Sequence, residues 1–325
     1  MSDYILAFDI GGTRIKYGIL SEEGKLIKSG KTPSRNNSGP ESLYQTLTGC
    51  IEDIKASSSG EMKAIGLGLT GGVHPDKGVV LLPGKFKDLE NFPIVSMLKA
   101  DFKVPVYADN DGRLAAYAEK YFGSARNKDW AVIMTIGTGV GSGVIIGGKI
   151  LMDPHLLFGT QLGHLIVNKS DDRTCLTGNR GTGEILCSST ALALQVRSAI
   201  QRGVPSMLTD EYCDNPFSID FHKVIEACRQ GDKLCLDELD VWINNLAVVL
   251  INAVHAYAPQ IIILSGGATL ASDLFLDKLK TIVSKQVFRY PADEPVEIII
   301  SDMQEYAGVM GAGAMVMDKL KAAVI

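Results

Sequence analysis

A strand, a glycine turn and a second strand occur twice in this chain, and that repeat restricts the fold more than any other feature. The first copy runs through Ile5-Leu6-Ala7-Phe8-Asp9-Ile10 into Gly11-Gly12-Thr13, then on to an apolar run at residues 17–20. The second runs through Val132-Ile133-Met134-Thr135-Ile136 into Gly137-Thr138-Gly139-Val140-Gly141-Ser142-Gly143, then on to Val144-Ile145-Ile146. Glycines let a backbone approach an anion closely, and free N–H groups in such a turn form an anion-binding concavity. Two such hairpins imply a duplicated scaffold that holds a phosphate between its turns.

The commoner glycine-loop motifs do not fit. A Walker A loop ends in Lys followed by Ser or Thr and opens a helix. Here Lys149 is followed by Ile150, which offers no hydroxyl to a magnesium ion. The dinucleotide fingerprint also opens a helix after its strand. The glycines at 139, 141 and 143 have the wrong spacing for it, and β-branched Val144, Ile145 and Ile146 continue as strand.

A length of 325 residues is long for one core, so two domains are expected. With 21% charged residues and a net charge of −5, the chain shows no basic surface for nucleic acid. No apolar stretch is long enough for a bilayer, and the start of the chain, with Asp3, does not read as a secretory leader. The six cysteines lack regular spacing and read as reduced thiols of a cytoplasmic protein, with Cys50, Cys213, Cys228 and Cys235 expected simply to pack. His74, His155, His222 and His255 lack ligand spacing and read as structural, and Trp130 and Trp242 read as core or interface residues.

Strand and helix signals alternate, which implies an α/β architecture. Helix is expected over residues 40–55, about 113–122, 186–200 and 233–258, the last on its apolar spacing and ended by Pro259. Strands are expected at 62–69, 104–107 and 261–264. A loop with Pro75, Gly78, Pro83 and Gly84 follows the turn Thr70-Gly71-Gly72, and 159–184 reads mostly as loop. Gly308, Gly311 and Gly313 lie in a helix-like apolar segment, where close packing or ligand approach accounts for them.

Taken in order, these motifs resemble the ROK family (repressors, open reading frames and kinases) of the actin-like ATPase superfamily, over nearly the whole chain. Asp9-Ile10-Gly11-Gly12-Thr13 resembles the family's first phosphate motif, Ile136-Gly137-Thr138-Gly139-Val140-Gly141 the second, and Ser265-Gly266-Gly267-Ala268 its adenosine motif. Asn110-Asp111 resembles its sugar-binding and catalytic pair. The resemblance implies two actin-like (ribonuclease H-like) α/β domains flanking a central cleft. Their expected extents are 1–118, completed by a C-terminal helix at about 304–325, and 119–303. It implies an ATP-dependent hexose kinase acting at the 6-hydroxyl, with ATP and Mg2+ as cofactors, a small sugar as substrate, and a homodimer. Asp111 would be the general base, and Asp9 would hold magnesium through water or phosphate. Gly11, Gly12, Thr13, Gly137, Thr138 and Gly139 would cradle the phosphates, while Gly266 and Gly267 would admit the adenosine. Sugar contacts would come from Gly71, Gly72, Asn110, Asp111, Gln161, His164 and Glu184.

The chain departs from the family pattern in one segment. Where the family shows ExGH, this chain reads Gln161-Leu162-Gly163-His164, and where it shows CxCGxxGCxE, the chain reads Cys175-Leu176-Thr177-Gly178-Asn179-Arg180-Gly181-Thr182-Gly183-Glu184. Two of three cysteines that would join His164 around a structural zinc are Thr177 and Thr182. Only His164 and Cys175 remain of four tetrahedral ligands, so no structural zinc is expected. The threonine hydroxyls are expected to bond loop carbonyls instead. Gln161 replaces an acceptor-only carboxylate with an amide that also donates, which alters the sugar oxygens that can be read. A non-catalytic sugar-binding sensor, or a sugar-responsive regulator of the same family lacking its own DNA-binding domain, is the competing reading. Such regulators carry a DNA-binding domain before the first phosphate motif, and here the first strand starts at about Tyr4.

Overall fold

The computed structural model describes residues 3–34, 38–75, 77–82, 86, 88–152, 160–288, 295–303 and 305–322. Its frame is two five-stranded mixed sheets. The first holds β1 (Tyr4–Ile10), β2 (Arg14–Ser21), β3 (Leu26–Pro33), β4 (Met62–Leu69) and β7 (Val106–Asn110) in the order β3-β2-β1-β4-β7, with a separate ribbon of β5 (Gly72–His74) and β6 (Val79–Leu82). The second holds β8 (Ala131–Ile136), β9 (Val140–Ile146), β10 (Lys149–Ile150), β11 (Ile261–Ser265) and β12 (Glu297–Ile300) in the order β10-β9-β8-β11-β12. In each sheet the first three strands pair antiparallel and the last two continue parallel. The second sheet therefore repeats the first in order and direction, as the two glycine hairpins imply.

Ten helices cover these sheets among the described residues: α1 (Pro40–Ser57), α2 (Ile94–Phe102), α3 (Asp111–Tyr121), α4 (Gly183–Cys187), α5 (Ser189–Gln201), α6 (Thr209–Asp214), α7 (Phe221–Arg229), α8 (Lys233–Tyr257), α9 (Ser272–Gln286) and α10 (Ala307–Ala322). α1 starts at a proline suited to a first helical turn, and it buries Leu43, Leu47, Ile51 and Ile54 along one stripe. That stripe meets Leu6, Phe8 and Leu67 of the first sheet. On the opposite face, Ala7 and Ala64 pack with Val309 and Ala312 of α10 and with Leu114 and Tyr117 of α3. In the second sheet, Val132, Met134, Ile262 and Leu264 pack with Trp242, Leu246 and Leu250 of α8. α3 also places Ala115 and Ala116 against Ile133, Ile145 and Ile263. One helix thus packs on both sheets.

Several boundaries differ from the sequence expectation, each for a local reason. Pro105 has no N–H for the ladder, so the strand expected at 104–107 starts after it, at Val106. α3 starts at Asp111, two residues early, because the Asn110 side chain caps it by accepting from Gly112 N at 2.9 Å. The helix expected over 186–200 is two, separated at Ser188, whose hydroxyl accepts from Ala191 N at 3.1 Å. Gly72 opens β5 rather than ending a turn, so half of the proline-glycine loop is a ribbon. Pro83, Gly84 and His155 lie outside the described residues. All six cysteines are free, but Cys213 is exposed rather than packed. Trp130 is 40% exposed, whereas Trp242 is wholly buried.

Trp242 stands edge-on to Phe275 at 5.4 Å and donates Nε1–H to the Ser188 carbonyl at 3.1 Å. Trp242→Phe removes that bond and leaves the carbonyl to Leu192 N, which donates to it at 3.3 Å, so urea unfolding is expected to show a loss of about 1 kcal/mol.

Candidate active site

The first residues of β9 are the point on which the candidate side chains converge. α3 begins directly against them: a Cβ added to Gly112 would stand 2.7 Å from the Ser142 backbone nitrogen, so only glycine fits there. From another side, the Ser142 hydroxyl donates to the Thr160 carbonyl and accepts from Leu162 N at 3.0 Å. This pins the tight turn Leu162–His164 to β9, with His164 N donating to the Gln161 carbonyl at 3.0 Å. Glu184, in the first turn of α4, accepts from Val140 N through Oε2 at 3.1 Å. Asn110, Asp111, Gln161, His164 and Glu184 are therefore all within one or two contacts of residues 140–142. Asn110 Nδ2 donates to the Gly71 carbonyl at 2.6 Å and draws in the turn before β5. The Asp111 carboxylate accepts from Gly112 N at 2.8 Å, at a helix start where negative charge is favoured.

The two glycine turns are fixed by different partners. In the second, Gly137 N donates to the Gly139 carbonyl at 2.9 Å and the Gly137 carbonyl accepts from Ser189 N at 2.8 Å. Thr138 and Gly267 then share the wall of a cleft of about 420 Å3 with Ser189, Arg197, Phe221 and Arg229. Gly266, at φ 93°, turns the chain from β11 into that wall. In the first turn, Gly11 N donates to the Arg14 carbonyl at 3.1 Å, and Ser34 holds the Gly12 carbonyl at 2.7 Å and the Thr13 carbonyl at 3.1 Å. Asp9 precedes this turn. Burial pushes its carboxyl above the ordinary range, against the pull of Lys16, its cross-strand partner. A Cβ on Gly308 would lie 2.5 Å from Asp9 Cγ, which accounts for that glycine by close packing. A desolvated carboxylate beside a glycine turn of this kind suits a divalent cation, whose hard charge favours carboxylate, phosphate and water oxygens.

In the 160–184 segment the threonines at the replaced cysteine positions have different surroundings. Among the described residues, no group of three or more His, Cys, Asp or Glu side chains is placed to hold a metal ion. Cys175 Sγ lies 3.0 Å from Thr177 Oγ1, and Thr177 Oγ1 accepts from Asn179 Nδ2 at 3.1 Å. Thr177 therefore turns to the sulfur and an amide, not to the loop carbonyl expected from the sequence. Burial would raise the Cys175 thiol, but the hydroxyl and backbone of Thr177 lead in bringing it down to about 6, while Thr182 Oγ1 and His164 Nδ1 are buried without a hydrogen-bond partner. Sequence reasoning missed Ser142, and it missed an ion pair between Asp109 and Arg113, which are 1% and 3% exposed. Their spacing of four residues across a strand-to-helix junction was the available signal. It also missed Thr160, a buried β-branched residue at φ 70°, a strained conformation with no marker in the sequence.

Two α/β sheets of matching strand order, each with a glycine turn after its leading strand, have the frame of the actin-like ATPases. The ROK family model matches residues 5–319, and the chain belongs to the ROK family. A glucokinase of Thermotoga maritima is 28% identical over 97% of this chain and 98% of its own length. A putative xylose repressor of a Caldicellulosiruptor species is 27% identical over 98% of this chain and 79% of its own length. The solved structure of a ROK family glucokinase from Streptomyces griseus, in complex with glucose and AMPPNP, superposes with a TM-score of 0.79 at 24% identity, covering 96% of this chain and 98% of that one.

Two predictions follow from the charges. Because burial raises the Asp9 pKa, the charged form costs native stability once pH exceeds its ordinary value of 3.8. Asp9→Asn should therefore be more stable than the parent at neutral pH, a gain that urea unfolding shows fading as the pH is lowered towards that value. Cys175 has the opposite sign. Its thiolate stabilises the fold above the ordinary thiol value of 9.0, and that contribution is lost as pH falls to about 6. The stability gap between parent and Cys175→Ser should shrink across that interval; a constant gap would contradict the assignment.

Proposed function

We propose that the protein transfers the γ-phosphoryl group of ATP to the 6-hydroxyl of a hexose or hexose derivative, with Asp111 as general base. The observation that carries this reading is the convergence on β9. Asn110-Asp111, the Gln161–His164 turn and Glu184 gather at one end of the second glycine turn, and a cleft large enough for a nucleoside opens at the other. Membership of the family and the similarity to glucokinases support it. In the reaction, the sugar oxygen attacks the γ-phosphorus and its proton passes to the Asp111 carboxylate, while the bond to the β,γ-bridging oxygen breaks and ADP leaves. Residues 11–13 and 137–139 line the phosphates, with the N–H groups of Gly11 and Gly137 spent on holding the turns in shape, and Gly266 and Gly267 leave room for the adenosine. Magnesium, held at Asp9 through water or phosphate, supplies neutralisation of the phosphate charge when bound.

Asn110 spends one amide hydrogen on Gly71 and its oxygen on Gly112, so it orders the site as well as facing the sugar. Gln161 both donates and accepts, which suits an acetamido carbonyl or a different epimer from that read by a carboxylate. The two lobes (residues 1–118 with 304–325, and 119–303) close on the sugar and exclude water. Among the described residues no helix is long and apolar enough to cross a membrane. A cytoplasmic location and a homodimer rest on the family resemblance alone.

The test is ADP release with Mg·ATP across hexoses and N-acetylhexosamines. One sugar should turn over, Asp111→Asn should lower kcat by at least about a hundredfold, and Gln161→Glu should change the preferred sugar. The similarity to xylose repressors favours a second reading, a sugar-binding regulator without transfer activity. Sugar binding by calorimetry with no turnover on any sugar would select it.

A further inference from the structure

The buried ion pair between Asp109 and Arg113 flanks the proposed base on both sides in sequence, and its contacts reach beyond the helix that bears it. Asp109 Oδ1 accepts from Asn110 N at 2.7 Å and from Arg113 Nε at 2.7 Å, and Arg113 Nη2 closes the pair. Arg113 Nη2 also reaches the Val73 carbonyl at 3.5 Å, while Asn110 Nδ2 donates to the Gly71 carbonyl at 2.6 Å. Two carbonyls around the start of β5 are therefore held by residues on either side of Asp111.

Stability does not account for this arrangement. Burying two charges costs several kcal/mol of hydration, and well-packed apolar residues commonly replace such a pair without loss. Arg113 also sits in the first turn of α3, where the helix dipole opposes a cation. What an apolar pair cannot supply is direction. A guanidinium presents several donors in a fixed plane, so it can bond a strand-end carboxylate and a carbonyl on a different element together.

We propose that Asp109 and Arg113 are positioning residues for the transfer reaction, whose ion pair makes the wall at residues 71–73 and the Asp111 carboxylate a single rigid unit. The proposal rests on the kinase reading for its chemistry but on these contacts for its mechanics. Reacting groups held in a near-attack geometry lower the barrier, and small misplacements cost large factors in rate. Asp109 and Arg113 touch neither sugar nor nucleotide; they act through Asn110, Asp111 and Val73.

Arg113→Lys tests this, because it keeps the charge and loses the fork; Asp109→Glu is the companion variant should either fail to fold. Hydrogen exchange on the full-length protein is expected to speed up by roughly tenfold at residues 72–74 and 110–112 together. In steady-state kinetics kcat for the sugar should fall by roughly tenfold, with KM for ATP changed by less than about twofold. Unchanged exchange at residues 72–74 overturns the proposal whatever the activity. Faster exchange with an unchanged kcat also overturns it, since the pair would then be structural only. If the parent itself turns over no sugar while exchange rises in both segments, the shared rigidity stands and only the kinase reading falls.

Discussion

The start of α3 rests directly on the backbone of β9, and the rest of the molecule is arranged around that contact. It requires a residue without a side chain at Gly112, a cap at Asn110 that does not intrude, and a strand whose Ser142 is free to anchor a second segment from its other side. α3 is also the helix that packs on both sheets, through Leu114 and Tyr117 in one direction and Ala115 and Ala116 in the other. A carboxylate at the first residue of such a helix has its position fixed by two cores at once. The precision of the site is thus inherited from packing, with hydrogen bonds making the last adjustment.

Duplication supplied two equivalent turns, and the chain has used them unequally. The second turn borders the cleft of about 420 Å3 and is bonded to Ser189, with Glu184 holding Val140 just after it. The first is bonded to Ser34, and the carboxylate before it, packed against Gly308 of α10, is pushed by burial above its ordinary range. The difference fits the proposed site, in which both turns face phosphate and the first alone adds a carboxylate.

Much of this was legible in the residues. The hairpins announced themselves because a glycine turn between β-branched runs has few alternatives, and the apolar rhythm of α8 left little doubt of a buried helix. Four short motifs in one order carried the family. What stayed hidden depended on contacts between distant segments. Nothing near Asp109 signals that Arg113 will reach Val73, and nothing near Thr160 signals a left-handed backbone. The start of α3 was misread because Asp111 and Asn110 are both good caps, and only the geometry of Gly112 decides between them. The threonines of the 175–182 loop were identified as replacements, but that Thr177 would turn to a sulfur and Thr182 Oγ1 would find no partner could not be read from spacing.

Trp242 joins these themes in a way that concerns light rather than energy. Its indole is wholly buried, and its N–H is bonded to Ser188, the residue next to the one that holds Gly137 of the second glycine turn. The only other tryptophan in the sequence, Trp130, is partly open to water at the start of β8 and emits from a different environment. The chain therefore carries one shielded chromophore at the root of that turn and one hydrated chromophore at the opposite end of β8. Their emission separates in wavelength, so occupancy of the cleft can be followed through the protein's own fluorescence, without a label.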